Sequence, residues 1–247
     1  MAKKNQVKST SPSLAPFYWI MAAVAVVGVG VLAYQLWGKP APATEPVRVQ
    51  LDAARLAEVR GISLGDEDAP VEILEFADFQ CPGCGQFAML TAPLIKERMV
   101  GSGRVRYVFY DFPLVQIHPN AFLAARAARC AGEQELFWPY HDFLFGRQSR
   151  WSNEGDPTPL FVEYAEEVGA DAGAFESCLR SDRYAREVTE SMQLGLSLGV
   201  EATPTLIVNG RRLVGIPSFS ELEEMVQAEL EGAGGEAEAP PDTSAES

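Results

Sequence analysis

Residues 71–84, Val71-Glu72-Ile73-Leu74-Glu75-Phe76-Ala77-Asp78-Phe79-Gln80-Cys81-Pro82-Gly83-Cys84, join an apolar run to two cysteines separated by Pro-Gly. Val71 to Phe76 reads as a buried strand, and the cysteines then fall where a helix begins. Thiols at i and i+3 can close a disulfide when the first sits at a helix N-terminus. There the unpaired backbone N–H groups and the helix dipole favour a thiolate, the reactive form of cysteine. Pro82 fits the first helical position, because the N–H it lacks would have had no partner there.

On the C-terminal side, residues 85–99 predict a helix with Phe87, Leu90, Leu94 and Ile95 on one face, kinked at Pro93. Residues 104–112 alternate as a strand, with Val105, Tyr107 and Phe109 on one side. Strand, helix, strand makes a βαβ unit with parallel pairing. From about 119 to 198 the pattern is helical, in segments 121–131, 136–145, 159–168, 172–179 and 182–198. A block of that length between core strands is an inserted helical subdomain, not a loop. Residues 205–208 return to strand, Asn209-Gly210 is a two-residue hairpin turn, and 211–214 pair back. A closing helix is predicted over 220–230, with Ser220 and Glu223 spaced as a capping box. Residues 231–247, rich in Gly, Pro and Glu, have the composition of a disordered acidic tail.

Upstream, a possible edge strand at 62–65, a turn at 66–70 and a short helix within 51–60 precede the strand. Residues 38–50, with Pro40, Pro42 and Pro46, read as an extended linker. Residues 17–37 are uncharged and apolar, 21 in a row, and about 20 suffice to cross a bilayer. Tyr18 and Trp19 at one end and Tyr34 and Trp37 at the other suit the two interfaces. Lys3, Lys4 and Lys8 in residues 1–16 place that end in the cytoplasm and the remainder outside. A cleaved signal peptide is the competing reading, on the small residues Ala41-Pro42-Ala43, but the apolar run exceeds the usual signal core. The body of the chain is exported on either reading.

The chain has 247 residues, 47% of them hydrophobic, enough for a sizeable core over 51–230. Its net charge of -14 and lack of a dense basic cluster argue against nucleic acid as a partner. The Gly101-Ser102-Gly103 turn leads into a strand and is not a phosphate loop. Cys81 and Cys84 could instead be half of a zinc site, but zinc takes about four ligands and neither the other two cysteines nor His118 and His141 have that spacing. The two histidines show no partner in the sequence and read as structural. So does the aromatic stretch Phe137-Trp138-Pro139-Tyr140-His141.

A Cys-Pro-Gly-Cys opening a helix after an apolar strand, a helical insertion, and Ala202-Thr203-Pro204-Thr205 before a hairpin and a last helix together resemble the thioredoxin fold. More closely, residues 62–230 resemble the DsbA-like thiol-disulfide oxidoreductases of bacterial envelopes, in their membrane-anchored branch. The resemblance implies an α/β thioredoxin-like fold with an inserted helical subdomain, preceded by one transmembrane helix. It implies that Cys81 attacks and Cys84 resolves, that Glu75 is the buried acid accepting or relaying the Cys84 proton, and that Pro204 is cis beside the disulfide. Thr203 then pairs with substrate backbone, and Pro82 and Gly83 complete the substrate-facing surface. Cys130 and Cys178, in an oxidising compartment, are expected to form a structural bridge.

The implied activity is disulfide formation in reduced or misoxidised exported proteins. A quinone-linked DsbB or a vitamin-K-epoxide-reductase-like membrane oxidase would recycle the pair, and neither a cofactor nor a metal is implied. The same architecture run in reverse is a reductase or isomerase. The absence of a histidine between the cysteines removes one familiar thiolate-stabilising group. A non-catalytic chaperone that binds extended peptide beside Pro204 is the rival of another class.

Overall fold

The computed structural model of the chain describes residues 19, 21, 24–28 and 47–237. The expected membrane-spanning run 17–37 lies largely outside them, as do linker residues 38–46 and the tail beyond 237. Among the described residues no helix is long and apolar enough to cross a membrane. Residues 1–44 and 45–247 form separate units, and the fold below is that of the second.

Strand β1 (Val47–Arg48), helix α1 (Ala53–Glu58) and strands β2 (Ile62–Leu64) and β3 (Val71–Ala77) lead to α2 (Pro82–Leu90), the short α3 (Ala92–Leu94) and a π-helical segment (Ile95–Val100). After β4 (Val105–Asp111) comes the helical insertion: α4 (Ala121–Gly132), α5 (Phe137–Gly146), α6 (Gln148–Trp151), α7 (Thr158–Glu167), α8 (Ala172–Arg180) and α9 (Ala185–Ser197). Strands β5 (Thr205–Val208) and β6 (Arg211–Val214) and helix α10 (Phe219–Ala237) close the chain.

The strands form one mixed sheet in the order β1-β6-β5-β3-β4-β2. Only β3 and β4 pair in parallel, as the βαβ reading requires, and the remaining pairs are antiparallel. Burial on both faces explains why β3 reads as an apolar run. On one face Val71, Ile73, Val105, Tyr107, Leu206 and Val208 pack against Phe87, Ile95, Met99, Leu222 and Val226 of the flanking helices. On the other, Leu74, Phe76, Val108, Tyr110 and Ile207 pack against Leu194 and Leu198, with Leu51 and Leu56 of the N-terminal segment at the margin. Glu75 alternates with Ile73 and so faces the α2 side.

The insertion has its own core around Ala124, Ala128, Tyr140, Leu144, Trp151, Phe161 and Phe175. Two devices fasten it. Cys130 in α4 and Cys178 in α8, 48 residues apart, are joined by a disulfide. Arg129 of α4 donates to Asp111 Oδ2 at 2.5 Å and to the Arg60 carbonyl at 3.3 Å, tying the insertion to the end of β4.

Four details differ from the sequence reading. The helix expected through 85–99 breaks at Thr91, because Pro93 has no N–H to donate and its ring crowds the carbonyl four residues back. The cap of α10 is Ser218, not Ser220: Ser218 Oγ accepts from the Glu221 N–H at 3.3 Å, and Glu221 Oε2 accepts from the Ser218 N–H at 2.7 Å. That helix continues past 230 to Ala237, into residues whose composition suggested a tail. Val47–Arg48, within the stretch read as linker, adds an edge strand to β6, and the Val49 N–H donates to the Gly210 carbonyl at 2.7 Å.

Candidate active site

The parallel strand β3 ends at Ala77, and a tight elbow through Asp78, Phe79 and Gln80 delivers Cys81 as the N-cap of α2. Side-chain hydrogen bonds brace this elbow against the insertion. Gln148 Nε2 donates to the carbonyls of Phe79 at 2.7 Å and Cys81 at 2.9 Å. Gln80 Oε1 accepts from the Asn120 N–H at 2.8 Å, and its Nε2 donates to the Ser152 carbonyl. Asn120 Nδ2 in turn donates to the Glu154 carbonyl at 2.9 Å. A Cβ on Gly85 would lie 3.0 Å from Gln148 Oε1, so the glycine makes room for the brace. Gln148 was not singled out in the sequence, since α6 is only one turn long and polar.

Cys81 is half-buried and Cys84 fully buried, both as free thiols. The two sulfurs are opposite in acidity. A hydrogen bond from the Cys84 thiol is the largest cause pulling Cys81 down to about 5; burial opposes it, and Thr203 and the backbone N–H groups of Cys84 and Gly83 assist. Burial, then the adjacent Cys81 sulfur, pushes Cys84 well above the usual thiol range. The Asp78 N–H donates to Cys84 Sγ at 3.5 Å.

The Thr203-Pro204 bond is cis. The Thr203 carbonyl oxygen accepts from the Cys81 thiol at 3.4 Å. A Cβ on Gly83 would touch both Pro204 Cδ, at 3.5 Å, and Cys81 Sγ, at 3.7 Å. Cys81, Pro82, Gly83, Thr203 and Pro204 thus meet at the end of the neighbouring interior strands β3 and β5, where Ile216 is exposed beside them.

Beneath this surface Glu75 is buried and accepts a hydrogen bond from the Tyr107 hydroxyl. Burial pushes its carboxyl up to about 7, against the pull of Tyr107 and of the Lys96 charge, with Asp142 adding to the rise. Glu75 in turn raises Cys84. Lys96 Nζ is paired with Asp142 Oδ1 at 2.7 Å and lies over the Trp138 ring.

Both histidines have carboxylate partners that sequence spacing could not reveal. His118 Nδ1 lies 2.7 Å from Asp78 Oδ2, which also accepts from the Leu114 N–H. His141, packed edge-on against Phe79, Phe109 and Phe145, has Nδ1 2.8 Å from Asp142 Oδ1. Burial keeps its ring below the usual histidine range. Among the described residues no cluster of His, Cys, Asp and Glu could hold a metal ion.

The family model described as thioredoxin matches residues 57–228. The probable disulfide bond formation protein D of Bacillus anthracis is 29% identical over 170 residues, covering 68% of this chain and 77% of that protein. The Na(+)/H(+) antiporter NhaA 3 of Salinispora tropica is 37% identical over 169 residues; the chain spans only 24% of that relative's length. Among solved structures, oxidised BdbD from Bacillus subtilis superposes with a TM-score of 0.66 at 26% identity, covering 76% of this chain and all of that one. Wolbachia pipientis α-DsbA1 shares the fold, with a TM-score of 0.65 at 23% identity over 72% of this chain and 95% of that one. A family model spanning most of the chain, and solved structures that share its fold, lead to one conclusion: the chain belongs to the thioredoxin family, in its DsbA-like branch.

Proposed function

We propose that the protein works outside the cytoplasm, anchored through residues 17–37, and donates its disulfide to reduced or misoxidised exported proteins. The observation that carries this reading is the asymmetry of the pair: Cys81 is half-buried and acidic, Cys84 is buried and strongly basic, and the cis Thr203-Pro204 loop stands over Cys81. A thiolate stabilised in the reduced state favours the reduced pair, and therefore favours giving the disulfide away.

In the oxidised enzyme a client thiolate attacks Cys81 Sγ and the Cys81–Cys84 bond breaks. Cys84 leaves as a thiolate and takes a proton, for which Glu75, with a carboxyl that titrates near neutrality, is the source. An extended client segment lies along Thr203, with Pro82 and Gly83 flanking the mixed disulfide. A second client thiol then attacks the client's own sulfur. The client disulfide forms and Cys81 departs as its stabilised thiolate. Two electrons have passed to the enzyme, and a membrane oxidase of the quinone-linked DsbB or vitamin-K-epoxide-reductase-like kind would remove them.

Replacing Cys81 with serine tests the chemistry. Oxidation of a reduced, unfolded client by the Cys81→Ser protein is expected to stop, while client binding persists. Undiminished disulfide exchange would refute the enzymatic reading in favour of a peptide-binding one. For the anchor, high-salt washing of membranes should leave the full chain bound, and ready release would contradict it.

A further inference from the structure

The reading of Glu75 as proton partner leaves open what holds that proton in balance. Burial alone would leave a carboxyl protonated throughout the neutral range, unable to accept the Cys84 proton when the pair is reoxidised. The titratable groups facing Glu75 come from four elements. Tyr107, on the neighbouring strand β4, donates its hydroxyl to one carboxylate oxygen. The other oxygen, Oε1, is buried with no hydrogen-bond partner among the described residues. From the π-helical segment comes Lys96, and from α5 come Asp142, which is paired with it, and His141 behind Asp142. Cys84 lies on the α2 side. Leu206, opposite Glu75 on β5, carries no charge.

Lys96 and Asp142 act on Glu75 in opposite senses, so each offsets part of the other. Tyr107 is the hydrogen-bond partner of its carboxyl among the described residues. A phenol donates one hydrogen bond, and donation to a carboxylate is about twice as strong as donation to a neutral carboxyl. Its contact therefore favours the ionised state of Glu75. The side chain is fully buried and cannot turn to solvent instead.

We propose that Tyr107 is a positioning residue for the thiol chemistry: its hydroxyl holds Glu75 ready as a carboxylate, with Oε1 free to take the Cys84 proton. This rests on the role of Glu75 given above. In the step concerned, Cys84 in a mixed disulfide gives its proton to Glu75, and the Cys84 sulfur attacks Cys81 Sγ. The Cys81–Cys84 bond forms as the bond to the partner sulfur breaks, and the partner leaves as a thiolate. The reverse step returns the proton to Cys84.

The test uses the full chain carrying a Cys81–glutathione mixed disulfide and follows glutathione release against pH. In the natural protein the rate should rise through a midpoint set by Glu75. Glu75→Gln should abolish that titration. Tyr107→Phe, which removes only the hydroxyl, should move the midpoint up by about one pH unit, the equivalent of one hydrogen bond to a charged group. An unchanged or lowered midpoint in Tyr107→Phe, with the Glu75→Gln profile flat, overturns the role of Tyr107 alone. A Glu75→Gln profile identical to the natural one overturns the role of Glu75 as well. Should Tyr107→Phe fail to fold, the ¹³Cζ resonance of Tyr107 in the natural protein decides. It should titrate with the Glu75 carboxyl and become flat in Glu75→Gln, and a resonance flat in both overturns the proposal.

Discussion

Replacing Cys84 with alanine isolates the strongest single influence on the nucleophile. The Cys84 thiol is the first cause of the low Cys81 value of about 5, ahead of Thr203 and the N–H groups at the start of the helix. A hydrogen bond to a charged group contributes about 1.5–3 kcal/mol. Cys81 is half-buried, so solvent screening argues for the low end, about 1.5 kcal/mol or roughly one pH unit. The Cys81 midpoint in Cys84→Ala is therefore expected near about 6. Cys84→Ser keeps a donor at the same place and should shift the midpoint far less. The assay is the rate of Cys81 carboxymethylation by iodoacetamide between about pH 4 and 9, with thiolate absorbance as a second readout. In the natural protein Cys84 stays protonated over this range, so one titration should be seen. A Cys84→Ala midpoint equal to the natural one would refute the assignment of the Cys84 thiol as the main stabiliser. A natural midpoint between about 8 and 9 would refute the whole electrostatic picture.

The buried acid also couples to stability. Glu75 has a folded value of about 7 against the ordinary 4.5, so between those pH values the native state keeps a proton that the unfolded state has lost. Stability should fall as pH rises through this window, by about 3 kcal/mol for this group, and Glu75→Gln should remove that slope in denaturant titrations. Loss of the Cys130–Cys178 bridge, by replacing both cysteines with alanine, opens a loop of 48 residues and should cost about 4 kcal/mol in the chain-entropy model, read by chemical denaturation. Arg129→Met leaves the buried Asp111 carboxylate without its partner and should destabilise by about 3–5 kcal/mol, with the loss reduced when Asp111 is also replaced by asparagine.

What could be read from the chain beforehand follows the range of the interactions. The strand into Cys-Pro-Gly-Cys, the Asn209-Gly210 hairpin and the helical insertion are local patterns, and each stands within a few residues of where the periodicity puts it. Glu75 is assigned through the family resemblance, because strand alternation groups it with Ile73 without deciding whether a lone acid there faces the interior or solvent. Tyr107 looked like one more apolar strand position, since its partner is 32 residues away in sequence. Gln148, Asn120 and the His118–Asp78 contact were invisible for the same reason: they are polar residues whose roles exist only once the insertion folds back on the elbow. The displaced cap shows the limit at short range. Ser218 and Ser220 both have a glutamate three residues on, and only the turn geometry around Pro217 selects the first.

The central claim is that thiolate stabilisation at Cys81 makes this pair an oxidant, and the reduction potential of Cys81–Cys84 against glutathione tests it most directly. Relative to a thioredoxin nucleophile with a value of about 7, a Cys81 near 5 stabilises the reduced state at pH 7 by about 1–2 kcal/mol, allowing for screening at the half-buried sulfur. At about 30 mV per 1.4 kcal/mol, that raises the potential from about −270 mV to between about −250 and −230 mV. A measured value in or above that interval is the result the account predicts. A value at or below about −270 mV would contradict it and assign the protein to reduction.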